Sequence, residues 1–173
     1  MVKKFYLGDA IYGANDGIIT TFAVAAGVIG ADLSLGIVLI IGFASLVADG
    51  FSMATSNYLA QKSERAVIEK IEGIRQARRE IHTNPYTSAL VTFVAFIFAG
   101  LIPLAPFLFT ADIGAVLPYA IFTTGFALFS IGAARTLVTG RHWFMSGLEM
   151  ALIGGAAASL AYFIGEFISG IVS

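Results

Sequence analysis

Three carboxylates and a thioether interrupt stretches of sequence that are otherwise apolar: Asp16, Asp49 with Met53 one helical turn beyond it, and Glu149. An acid placed bare in hydrocarbon costs about 2.5 kcal/mol or more, so it faces other helices or a wet cavity and is a functional candidate by default. Ionised carboxylates supply hard oxygen ligands and a methionine supplies a softer sulfur. That set suits Fe2+ or Mn2+, because Mg2+ would want oxygens alone and copper(I) more sulfur than one methionine. A carboxylate can also give up its metal to a proton, which makes Asp16 and Asp49 candidates for proton coupling as well as ligation. At about 100° per residue, Asp49, Met53, Ser56, Asn57, Ala60 and Glu64 fall on one helical stripe, polar within an apolar helix. Each residue also has a duller reading. Asp16 could cap backbone within its own helix, Glu149 could neutralise Arg135, and Met53 could simply fill space.

The segments that must position these groups are membrane spans. With 58% hydrophobic residues, 12% charged residues and 19 glycines in 173, the composition is that of an all-α integral membrane protein and not of a soluble domain. The absence of cysteine excludes disulfides and thiolate metal sites, and a net charge of −1 gives no nucleic-acid signature. No small-residue cleavage pattern follows the first apolar run, so no removable signal peptide is expected. The run from Ile18 to Ala31 is too short for a core of about 30 Å, and the first span must begin near Ile11. Five transmembrane helices are predicted, over about 11–31, 35–60, 87–109, 113–134 and 144–171, in one transmembrane domain covering residues 1–173. Pro103 and Pro106 should break or bend the third near its far end. Asp9, Gly13, Asp16, Thr20 and Gly27 share a face of the first helix, where the small residues would let another helix approach closely.

Helix two should continue out of the membrane as an amphipathic helix over about 61–82, with no proline before Pro85. Val67, Ile71, Ile74 and Ile81 line one stripe of this extension, and Glu69, Glu72, Gln76 and Glu80 another. With Glu64, the acids are either a metal-collecting surface or a solvated face paired with Lys70, Arg75 and Arg79. All ten basic residues fall on one side of a five-span chain. By the positive-inside rule the N-terminus, the extension and the TGRHW loop are then cytoplasmic and Ser173 lies outside. Counted along the helices, Asp16 and Asp49 lie about 8 Å and 10 Å from the cytoplasmic boundary, with Glu149 at a similar level. Three carboxylates at one depth on three helices suggest a cation site.

The residues also resemble a known family. IYGANDGIITTFAVAAGV in helix one, DGFSM and NYLAQKSE in helix two, NPYTSALVTF and GLIPLAP in helix three, and SGLEMALIGGAAASLAYFIGEF in helix five resemble the vacuolar iron transporter family over nearly the whole chain. The resemblance implies a homodimer of five-helix protomers that moves ferrous iron, often manganese too, out of the cytosol in exchange for protons. It places the helix-one acids of the family pathway on Asp9 and Asp16, and its helix-two methionine on Met53. Two departures stand out. Plant-type members carry a Gly-Glu-Tyr-like triplet where this chain has Ser56, Asn57 and Tyr58, and some place an acid two turns before the methionine, where this chain has Ser45 and offers Asp49 instead. The plant-type cytosolic metal-binding domain is also reduced here to one long helix, so that capture there would fall to Glu64, Glu69, Glu72 and Glu80.

The expected function is proton-coupled export of divalent transition metal across a membrane, with Asp9, Asp16, Asp49, Met53 and Glu149 as metal residues and Asp16 and Asp49 carrying protons. No permanently bound cofactor is expected, only Fe2+ or Mn2+ as the transported ion. The partners are a second copy of the chain and the lipid bilayer, which is a cell membrane or a vacuolar-type membrane according to the source. The alternative is a non-transporting scaffold or metal sensor whose extension docks a partner. An intramembrane enzyme is not expected, since no nucleophile motif or histidine-rich centre lies within the spans.

Overall fold

The computed structural model describes residues 2–72, 84–109 and 112–172, and every regular element among them is helical. Five helices are long and apolar enough to cross a membrane. They are α1 (Val2–Gly30), α2 (Leu35–Glu72), α3 (Pro85–Leu104), α4 (Ile113–Ala134) and α5 (Trp143–Val172). A 3-10 turn, Ala105–Leu108, follows α3, and a single helical turn, Thr136–Thr139, follows α4. Lipid offers no hydrogen bonds to an exposed backbone, which is why an apolar chain of this kind resolves into helices that satisfy their own amides.

The helix ends are local chemistry. Asp32 closes α1 with φ 55°, its amide donating to Ile29 and the Leu33 amide donating to Val28, a Schellman-type end in which an aspartate takes the left-handed position. Asn84 caps α3, accepting from the Tyr86 amide at 3.0 Å, with Pro85 in the first turn where its missing N–H costs nothing. Asp112 caps α4 in the same way, accepting from the Gly114 amide at 2.9 Å. Pro103 sits in the last turn of α3 and Pro106 in the 3-10 turn, where the expected break occurs.

One boundary differs from the sequence reading, and one agrees with it as far as the described residues go. α1 is already helical from Val2, which brings Asp9 onto the same rod as Asp16. α2 runs without interruption to Glu72, and the rest of the anticipated extension, 73–82, lies outside the described residues.

Helix α1 is the centre of the bundle, packed most extensively on α3 and then on α5. Glycines make this possible. A Cβ on Gly13 would lie 2.5 Å from the Thr92 carbonyl oxygen, one on Gly17 would collide with the Phe96 carbonyl, and one on Gly30 with that of Tyr162. The helix that approaches the small-residue face of helix one so closely is α3 of the same protomer, at Gly13 and Gly17. The polar-poor core lies beside them, around Phe96, Leu46, Leu104, Val38 and Val116.

Candidate metal pathway between helices one, two and three

Helices α1 and α2 run in opposite directions, so residues seven or eight apart on each meet as successive rungs. The rung nearer the base-bearing end of the bundle joins Asp9 to Asn57, whose Nδ2 donates to Asp9 Oδ1 at 3.2 Å. The second rung, about 10 to 12 Å deeper by helix rise, brings Asp16 within electrostatic reach of Asp49. Two of the acids singled out in the sequence, on different helices, thus come near one another in the fold.

The first rung belongs to a larger polar network. Asn57 Nδ2 also donates to Thr92 Oγ1 at 2.7 Å, and Gln61 Nε2 donates to Asn57 Oδ1 at 2.7 Å. Thr92 in turn donates to the Ser88 carbonyl at 3.0 Å. Ser88 and Thr92 are both fully buried, and they stand one turn apart on α3. Thr92 and Gln61 escaped the sequence reading. The signal for Thr92 was present only as its spacing from Ser88 on one face of an otherwise apolar helix; for Gln61 it was its place one turn after Asn57 on α2.

The second rung is more open. Asp16 is half-buried, and its backbone carbonyl accepts from Thr20 Oγ1 at 2.8 Å. Asp49 is exposed on the outer surface of α2, next to Ser45, Ser52 and Ser56 along the same side. Met53 is half-buried and packs against the Phe96 and Leu46 cluster, so within a single protomer it serves as packing. Asn15 has a buried Oδ1 without a hydrogen-bond partner. It lines a cleft of about 370 Å³ together with Tyr12, Arg135, Thr139 and Met150.

Glu149 is engaged elsewhere. It lies 3.8 Å from the Arg135 guanidinium, with both side chains about half exposed. Among the described residues, no three acidic or histidine side chains of one protomer converge on a common point that could hold a metal. On the extension Glu64 and Glu69 are exposed, as are Val67 and Ile71. The Glu72 side chain and Glu80 lie outside what the structure describes.

Sequence comparison supplies the family context for this geometry. The profile of the VIT family matches residues 7–78 and 67–166. The chain is 26% identical to a vacuolar iron transporter of Toxoplasma gondii, over 96% of this chain and 76% of that protein. It is 27% identical to vacuolar iron transporter 1 of Arabidopsis thaliana, over 92% of this chain and 85% of that protein. Protein CCC1 of Saccharomyces cerevisiae is 27% identical over 91% of this chain and 67% of its own length. With five membrane-length helices, an acid-bearing seam between the first two, and a family profile spanning almost the whole sequence, the chain belongs to the VIT family.

Proposed function

We propose that this protein exports Fe2+, and Mn2+ as a second substrate, from the cytosol across its membrane in exchange for protons, and that it works as a homodimer. The observation that carries the reading is that Asp16 on α1 and Asp49 on α2 lie within electrostatic reach of one another in the membrane-length part of both helices. Two relatives are named as iron transporters, which favours a metal cargo over a purely structural role for these acids. A second copy is called for by Asp49 itself. An ionised carboxylate exposed on a membrane helix is expensive against lipid, and a partner laid over the serine-rich side of α2 would remove that cost.

The ten basic residues, all on one side of the chain when it is read as five spans, support a cytosolic location for the end where α1 begins. Metal is collected by Glu64, Glu69, Glu72 and Glu80 of the extension, passes Asp9, and is held by Asp16, Asp49 and Met53. Glu149 reaches the ion only when Arg135 releases it. Ionised carboxylates hold the divalent ion. Protons arriving from the far side neutralise Asp16 and Asp49, and the ion leaves because its ligands have lost their charge. The same two groups thereby bind cargo and carry the counter-ion.

The test is flux in proteoliposomes loaded with purified protein. Fe2+ movement should require an opposing proton gradient and stop when an ionophore collapses it. Mn2+ should compete, and Mg2+ should not. Dimeric, folded protein that moves no divalent metal under any gradient would overturn the proposal in favour of a membrane scaffold.

A further inference from the structure

We infer that Asn57 is the positioning residue for Asp9, fixing the carboxylate at the cytosolic mouth of the pathway so that it receives the incoming metal ion. The inference rests on the reading of Asp9 as a metal ligand given above. Its own support is the hydrogen-bond arithmetic around one side chain. Asp9, when ionised, can only accept, and it demands a donor. Thr92 has a single hydroxyl proton, which goes to the Ser88 carbonyl, so towards Asn57 it too can only accept. Both hydrogens of the Asn57 amide are therefore committed, one to Asp9 and one to Thr92, and its carbonyl oxygen accepts from Gln61. Turning the amide over would set oxygen against oxygen at Asp9 and Thr92, so the orientation follows from its neighbours.

The contact joins α1, α2 and α3 through residues 48 and 35 positions apart in sequence. Among the described residues it is the one hydrogen bond that Asp9 accepts. The Asp9 carboxylate is thus held through one oxygen by a neutral donor. Ligand carboxylates are commonly oriented by such outer partners, and loss of a partner costs about 10- to 100-fold in metal affinity.

Asn57→Leu has nearly the same shape and removes every hydrogen bond. In proteoliposomes it should raise the KM for Fe2+ about tenfold with kcat little changed, because capture at the mouth weakens while the deeper rung is intact. Asn57→Gln, which keeps the amide, should recover part of that loss. In the Asp9→Asn background, Asn57→Leu should raise KM no further, since the group it positions is already gone; a merely structural role would add its effect independently. Thr92→Val frees one Asn57 hydrogen without touching α2 and should move KM in the same direction by a smaller factor, which keeps the test available if Asn57→Leu fails to fold. Equilibrium Mn2+ binding to detergent-solubilised protein, followed by loss of the free-ion magnetic resonance signal, gives a readout independent of transport. If Asp9→Asn weakens metal binding while Asn57→Leu and Thr92→Val leave it unchanged, the positioning role is wrong. If Asp9→Asn itself changes neither binding nor KM, it is the reading of Asp9 as a ligand that fails, and the role of Asn57 falls with it.

Discussion

Asp49 concentrates the chemical argument in one side chain. It is exposed on α2, within electrostatic reach of Asp16 and four residues before Met53. An acid at Ser45 would stand about 6 Å along the helix axis and about 40° around it from the position Asp49 occupies. Asp49→Asn keeps the shape and removes both charge and proton carriage. Metal flux and its dependence on a proton gradient should therefore fall together, by at least the about 10- to 100-fold that loss of a group orienting a ligand costs. Asp49→Ser combined with Ser45→Glu should restore part of the flux, measured in the same proteoliposomes. Folded, dimeric Asp49→Asn protein transporting at the unmodified rate would make Asp49 structural. Glu149 invites a milder expectation. Because Glu149 is paired at 3.8 Å with Arg135 and reaches the ion only on its release, Glu149→Gln should raise metal KM by a smaller factor than Asp49→Asn, measured in the same proteoliposomes.

Between helices, the fold depends on how closely α1 approaches α3. Gly13 and Gly17 allow backbone to lie against backbone, with the Thr92 and Phe96 carbonyls where side chains would otherwise be. No flexible side-chain end stands there to yield. Gly17→Ala should separate the two helices and destabilise the protomer by about 1 to 3 kcal/mol, the range for overpacking a tight contact. Thermal unfolding in detergent measures it, and an unchanged midpoint would mean that the contact is looser than the packing implies. The displacement should also disturb the Asp9, Asn57 and Thr92 network, because Thr92 provides both the carbonyl that Gly13 meets and the hydroxyl that Asn57 holds. Stability and metal affinity are therefore coupled at this seam.

For the whole molecule, two arrangements follow from charge. The first is orientation. A reporter active only outside the cytosol should work when fused after Ser173 and stay silent when inserted after Gly140, which caps the turn following α4 at the base-bearing end. The reverse pattern would invert the direction of transport. The second is assembly. Under the proposed homodimer, the expected partner face is the side of α2 bearing Ala48, Asp49, Ser52 and Ser56, all exposed. Cysteine at Ala48 or Ser52 in this cysteine-free chain should cross-link between protomers in native membranes, whereas cysteine at Phe98, exposed on α3, should not. Cross-linking through Phe98 alone would move the dimer interface to another face.

How much of this was legible beforehand depends on the distance over which each feature is decided. The five spans, their caps and the clustering of bases at one end are written in consecutive residues. Apolar length, Asn84 before Pro85, Asp112 before Ile113 and the placement of each Lys and Arg act locally, whatever the rest of the chain does. The nearness of Asp16 and Asp49 was suggested by their similar depth on neighbouring spans, since acids within spans must turn inward or towards a partner. The pairings themselves could not. Spans that are apolar around most of their circumference carry little periodic signal for rotation, so the stripe containing Gly13 announced a close neighbour without saying whether it was α3 or a second chain. Only the packed bundle set Gly13 on Thr92 and turned Asn57 towards Asp9 48 positions away, whereas the pairing of Glu149 with Arg135 was one of the readings open in the sequence. Those choices rest on the rotation and register of helices against one another. Both are fixed by close contact between side chains and backbones far apart in sequence, which no single stretch encodes.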